Sequence, residues 1–258
     1  MINNKELWKS YRIYPLTEGI LIGLFVFFAI FMTTFFIYQY SLDAQKGEIK
    51  EGLLRTAKVV GAFINADVHQ NLIAGQETSN NYLQQIKPLE VALKADESIK
   101  YLYTAILKDN KVFFILDATA AGDLDGDGVE DKAGIMEEYP EAGTEIVRAL
   151  TNHEIVISDT PYTDRWGSFL SAYVPLLNKR GESVAVLGID IEASEYFTRL
   201  EPIKRATTRT MVIGFFISFL VGSIVWFMRN FGLKINIKRK ELAEQVSENL
   251  IKIRSSSE

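Results

Sequence analysis

DTPYTDRWGSFLSAYVPLLNKRGESVAVLGIDIEA, residues 159–193, is the stretch that decides the fold. Residues 168–177 and 183–191 read as two strands joined by the turn NKRG. A second hairpin precedes them. IKYLYTAIL (99–107), the turn KDN and KVFFILDA (111–118) are rich in aromatic and β-branched residues. A further short strand is expected at 154–158. Hairpins, rather than strands alternating with helices, imply a mainly antiparallel sheet with helices packed on one face, an α+β fold.

Helices are expected on both sides of this sheet in the sequence. Residues 82–96 read as one, with Pro88 as an irregularity or break. A short helix is expected at 141–150 and another at 192–209. Leu42, Ile49, Leu53, Val60 and Ile64 recur at spacings of 7, 4, 7 and 4, a helical period over 42–73. Such a stripe packs on its own domain or forms a dimer seam; a seam near the membrane is the expectation here. Ile235, Leu242, Val246 and Ile253 form a similar stripe near the end of the chain.

Two hydrophobic runs bracket the domain: ILIGLFVFFAIFMTTFFI (20–37) and MVIGFFISFLVGSIVWFM (211–228), each 18 residues without a charge. At about 1.5 Å per residue each approaches the roughly 30 Å hydrocarbon core. The first holds 13 Leu, Ile, Phe or Val residues, which favour insertion by about 4 to 8 kcal/mol. It is longer than a signal-peptide core and lacks a good cleavage site, so an uncleaved anchor is expected. Lys5, Lys9 and Arg12 precede the first run, and Arg229, Lys234, Lys238, Arg239 and Lys240 follow the second. Basic flanks stay in the cytoplasm. The expected organisation is therefore a cytoplasmic tail at 1–15, spans at 16–39 and 209–229, an extracytoplasmic domain at 40–208, and a cytoplasmic amphipathic helix at 230–258. The expectation is a two-pass membrane protein with both termini cytoplasmic.

The chain has a net charge of −5, no cysteine and two histidines, His69 and His153. These exclude disulfides, thiol catalysis and Cys-ligated zinc, and argue against nucleic-acid binding and a His-rich metal centre.

The 159–193 stretch resembles the C-terminal half of extracytoplasmic Cache sensor domains, which have a PAS-like fold. The residues that fit are Tyr162, Asp164, Trp166 and Gly167 (Tyr-x-Asp-x-Trp-Gly), Tyr173 and Pro175 (Tyr-x-Pro), Gly181 in the turn, and Gly188 and Asp190 (Gly-x-Asp). FFILDA and MEEYPEA also look like this family. The resemblance covers roughly 42–199. It implies a long N-terminal helix, a central antiparallel sheet and a small-ligand pocket on one sheet face. Amino-acid-sensing double Cache domains carry a Tyr/Arg/Trp/Tyr/Asp signature over two modules; this chain matches it only in part, and its length suits one module. Such domains feed a cyclase, a histidine kinase or a chemotaxis module. The expectation here is a two-pass sensor of a bacterial inner membrane signalling to a cytoplasmic or membrane partner, or the sensor part of a longer protein.

For the pocket, Tyr103, Tyr139, Tyr162, Trp166 and Tyr173 are the expected walls, though each is equally a core residue. Asp117, Asp164 or Asp190 would accept from an ammonium, and Arg148 or Arg165 would hold a carboxylate. Asp190 has a second reading, as a cap of the following helix. Asp123, Asp125 and Asp127, followed by Gly128 and with Asp131 beyond, match the start of a calcium loop. Gly134 stands where the bidentate Glu belongs, and Asp- and Gly-rich runs also form plain solvated turns. Ca²⁺ is thus the one candidate cofactor.

The leading expectation is a ligand-sensing membrane receptor working as a parallel homodimer. An envelope scaffold using the domain for protein contacts is the alternative; a pocket with no reachable polar group would favour it. No phosphate loop, G-x-S-x-G or H-E-x-x-H is present, so the chain is not expected to be an enzyme.

Overall fold

The computed structural model describes residues 14–123, 128 and 130–255. Residues Leu42–Pro202 form one compact unit. The described residues up to Ser41 and from Ile203 onward form a second.

Helix α1 (Pro15–Gly61) runs from the second unit into the first. Its stripe faces inward: Ile49, Leu53, Ala57 and Val60 are buried in the domain's own core, and Leu42 packs against it. These side chains are covered by the sheet of their own chain, so this part of the stripe packs on its own domain. The helix also ends earlier than its period suggested. A short α2 (Ala66–His69), capped by the Asn65 side chain, follows it. Helix α3 (Asn80–Ala95) starts at the Ser79 cap, whose Oγ accepts from the Tyr82 N–H at 3.2 Å. Pro88 lies inside α3 without ending it. It forgoes one backbone hydrogen bond, while the neighbouring Ile86 and Leu89 are buried.

The sheet contains β1 (Tyr101–Lys108), β2 (Lys111–Asp117), β3 (Val156–Ile157), β4 (Tyr162–Asp164), β5 (Gly167–Leu177) and β6 (Ser183–Glu192). Its order is β2-β1-β6-β5-β3, with β4 also on β5, and every pairing is antiparallel. Asp109 and Asn110, both at positive φ, make the two-residue turn between β1 and β2, the geometry that matches strand twist in tight hairpins.

Alternation along the strands sends two sets of side chains to opposite faces. Leu102, Leu116, Leu170, Ala172, Leu187 and Ile189 join α1 and α3 in the larger core. Tyr103, Phe114, Tyr173 and Val186 face the other way, with Ile146 and Ala149 of α4 (Thr144–Asn152). Helices thus cover both faces rather than one. This explains why β5 and β6 read as nearly continuous apolar runs.

Helix α5 (Ala193–Ser255) follows β6 without an intervening loop. In the second unit the apolar parts of α1 and α5 approach closely: a Cβ on Gly19 would lie 2.6 Å from the Gly222 carbonyl oxygen. Glu18 and Arg229 pair there, Arg229 Nη2 donating to Glu18 Oε1 at 2.8 Å. Both helices are long and apolar enough to cross a membrane.

Candidate functional site

The sheet face opposite α1 carries a small cavity. Its floor comes from neighbouring strands: Tyr101 and Tyr103 of β1, Phe114 and Asp117 of β2, brought to the same face by the bulge opposite Thr104 and Ala105, Phe169 of β5 and Asp190 of β6. Its walls are Asp131, Ala133 and Tyr139 from the segment after β2, with Asp164 and Trp166 from the β4–β5 hairpin. Gly188 makes room for the floor, since a Cβ there would sit 2.7 Å from the Tyr103 ring.

The wall segment is held against β2 by backbone pairing. Phe114 N–H donates to the Glu137 carbonyl at 3.0 Å, Met136 N–H to Phe114 at 2.7 Å, and Tyr139 N–H to Val112 at 2.8 Å. Tyr139 stacks on Phe114 with ring centres 5.0 Å apart, and Trp166 meets both rings edge-on at 5.6 and 5.3 Å.

The polar groups fall into two kinds. Asp117 is fully used: its carboxylate accepts from Thr119 N–H and Oγ1 at 2.9 and 2.6 Å and from Ala133 N–H at 2.7 Å, tying the ends of the loop together. Burial raises its pKa, against those hydrogen bonds. Asp164 accepts from Tyr139 Oη at 2.5 Å and from Trp166 N–H at 2.9 Å. Tyr162 Oη lies 3.1 Å from Tyr173 Oη and 3.5 Å from Tyr139 Oη. Burial pushes the Tyr139 and Tyr173 phenols far up and Tyr162 to about 12, so all three stay neutral.

Asp190 is the second kind. It is 3% exposed, and burial, with added repulsion from Asp164 and Asp117, raises its pKa to about 7. Ser171 and Tyr103 lie near enough to offset part of this. Even so, Asp190 Oδ1 and Tyr103 Oη reach no partner in hydrogen-bonding geometry among the described residues. Buried polar atoms are normally satisfied; this cavity holds two that are not. Asp190 lies within β6 on the cavity wall, not at a cap of α5.

A second cavity of about 190 Å³ lies on the α1 side, between α1 and β6. Its charged groups are matched internally: Glu48 with Arg55, Arg199 with Glu195, Asp96 with Ser98.

The structure brings Tyr103, Asp117, Tyr139, Asp164, Trp166 and Asp190 together at one cavity, with Tyr162 and Tyr173 hydrogen-bonded behind them. It does not bring in the two arginines. Arg148 is on the surface with Glu154, and Arg165 lies over the outer side of Trp166, 4.0 Å from its ring centre, paired with Glu137 and Glu141. Both belong to surface ion pairs, and neither lines the cavity. In the calcium pattern, Asp125 and Asp127 lie outside the described residues. Asp123 Oδ2 accepts from Gly128 N–H at 2.8 Å, and Asp131 lines the aromatic cavity. Sequence reasoning missed Tyr101, Phe114 and Phe169. The signal was period-two alternation: Tyr101 with Tyr103, and Phe169 with Tyr173.

No family model and no curated protein matches the chain. Among solved structures, the ligand-binding domain of the Campylobacter jejuni chemoreceptor Tlp3, in complex with L-valine, is similar at 14% identity with a TM-score of 0.42. That match covers 68% of this chain and 66% of the other, so this chain spans just under two thirds of that domain. The E. coli DcuS sensor domain is similar at 10% identity and TM-score 0.43, over 61% of this chain and 98% of its own. The periplasmic sensory domain of C. jejuni Tlp1 follows at 11% and 0.40, over 62% and 59%. With its long N-terminal helix and antiparallel sheet, the domain has the α+β build expected of a PAS-like Cache domain.

Proposed function

We propose that the chain is a membrane-anchored sensor whose domain at 42–202 binds a small molecule in the aromatic cavity and passes a conformational change into α5. The observation that carries this reading is Asp190. It is a buried carboxylate with an unmatched oxygen, on the cavity wall, in the strand that runs directly into α5. A ligand that fills the cavity and bonds Asp190 acts on β6 at that junction. The scaffold alternative calls for a cavity without reachable polar groups, and this one is walled by four carboxylates.

The cavity as it stands holds about 20 Å³, room for about one water. A ligand therefore enters by displacing the Trp166 and Tyr139 rings, which close the cavity from separate segments. The Trp166 hairpin tip and the 131–139 wall are then a lid, and its movement is the initial response. Basic flanks place both termini in the cytoplasm in this reading, with the sensor domain outside. Phenols kept neutral by burial, with Asp117 spent on its own loop, suit binding rather than catalysis.

The test is a thermal-shift screen of the full chain in nanodiscs, repeated with Trp166→Ala and Asp190→Asn. A compound that stabilises the wild type and neither variant supports the reading. Compounds that stabilise all three equally bind elsewhere and count against it.

A further inference from the structure

We propose that the ligand is a protonated primary or secondary amine that carries no carboxylate. This rests on the sensor reading above and narrows it to one chemical class.

Charge comes first. Asp117, Asp131, Asp164 and Asp190 line the cavity, and among the described residues no arginine, lysine or histidine does. The loop positions outside the described residues, 124–127 and 129, are Leu, Asp, Gly, Asp and Val, so they add no cation. The basic residue acting on Asp117 is Lys132, and its Nζ donates to the Thr119 carbonyl at 3.0 Å, outside the lining. Arg148 and Arg165 are engaged in surface ion pairs. A ligand carboxylate brought here would meet negative charge on several sides with no partner, the arrangement that opposes burial most strongly.

Hydrogen bonding comes second. Asp190 and Tyr103 are 3% and 4% exposed, and each presents an oxygen without a hydrogen-bond partner to this cavity. An ionised Asp190 is acceptor-only, so its complement is an N–H or O–H donor. A protonated amine supplies several donors and a balancing charge from one atom. A quaternary ammonium supplies the charge but no N–H for Asp190. Aromatic rings of Tyr101 and Phe169 line the same cavity, and a ring whose face meets the ligand favours a cation.

Matched triplets that differ only in charged groups test this on the full chain in nanodiscs by calorimetry: ethylamine, alanine and propionate; isobutylamine, valine and isovalerate; phenethylamine, phenylalanine and 3-phenylpropionate. The expected result is that in at least one triplet the amine binds tenfold or more tightly than the amino acid, and the acid does not bind. Asp190→Asn should weaken the amine tenfold or more, while Arg165→Ala should leave the amine-to-amino-acid ratio unchanged. Tighter binding of an amino acid or acid would overturn the amine assignment and leave the sensor reading standing. Amine binding that survives Asp190→Asn would also overturn it. No binding by any member of any triplet would overturn both.

Discussion

Replacing Asp190 by asparagine should change how the domain's stability depends on pH, and by a measurable amount. Asp190 moves from 3.8 unfolded to about 7 in the folded protein because it is buried. A folded pKa raised in this way means that the native state holds the proton more tightly. Stability from the protonated carboxyl is fully present below pH 3.8 and is lost as pH rises toward about 7, at about 1.4 kcal/mol per pH unit. Between pH 5 and 8 the wild type therefore loses about 3 kcal/mol from this group. His69 acts in the opposite direction. Burial lowers it from 6.5 to about 4, so its contribution grows from pH 4 to 6.5 and offsets about 2 kcal/mol of that loss above pH 5. The amide side chain in Asp190→Asn cannot ionise, which leaves the His69 slope unopposed. The variant should thus gain about 3 kcal/mol on the wild type from pH 5 to 8. In a domain of this size that is roughly 6–12 °C in Tm, read by thermal melts of the full chain in detergent at both pH values. Parallel pH profiles would refute the reasoning, because they would mean that Asp190 is hydrated or paired in the folded protein.

Three further outcomes are expected. Gly188→Ala would place a methyl group 2.7 Å from the Tyr103 ring; it should cost about 1–3 kcal/mol through overpacking and abolish ligand-induced stabilisation, checked by melts with and without phenethylamine. His69→Gln should remove the rise in stability between pH 4 and 6.5, up to about 3 kcal/mol, seen as a flatter acid limb. Gly222→Leu should separate α1 and α5, because even a Cβ there would lie 2.7 Å from the Gly19 carbonyl oxygen; overpacking of this kind costs about 1–3 kcal/mol, read as a lower Tm of the full chain in detergent.

Much of the fold was legible because its signals are local. The period-two strands, the NKRG and KDN turns and the two apolar runs each specify structure over a short span of chain. What was not legible depended on partners. The stripe from Ile49 to Val60 has the same period whether it meets a second chain or its own sheet, and only the sheet's position showed that it meets Leu187 and Ile189 of its own core. Strand β4 is three residues long and carries no period of its own. At the site, the Tyr-x-Asp-x-Trp-Gly segment brings Asp164 and Trp166 to the cavity. The arginines misled because charge complementarity alone cannot tell a pocket cation from one held outside by Glu137 and Glu141. Nor does sequence distinguish Asp117, which is spent on its loop, from Asp190, which is not.

The central claim is that a small molecule binds under Trp166 and Tyr139 against Asp190. Hydrogen–deuterium exchange on the full chain in nanodiscs, with and without saturating phenethylamine, tests it most directly. The account predicts slowed exchange at 133–139 and 162–169, the two segments that close the cavity, and at the β6 residues leading into α5. Protection confined to 45–56 and 96–99, around the cavity on the opposite sheet face, would contradict it.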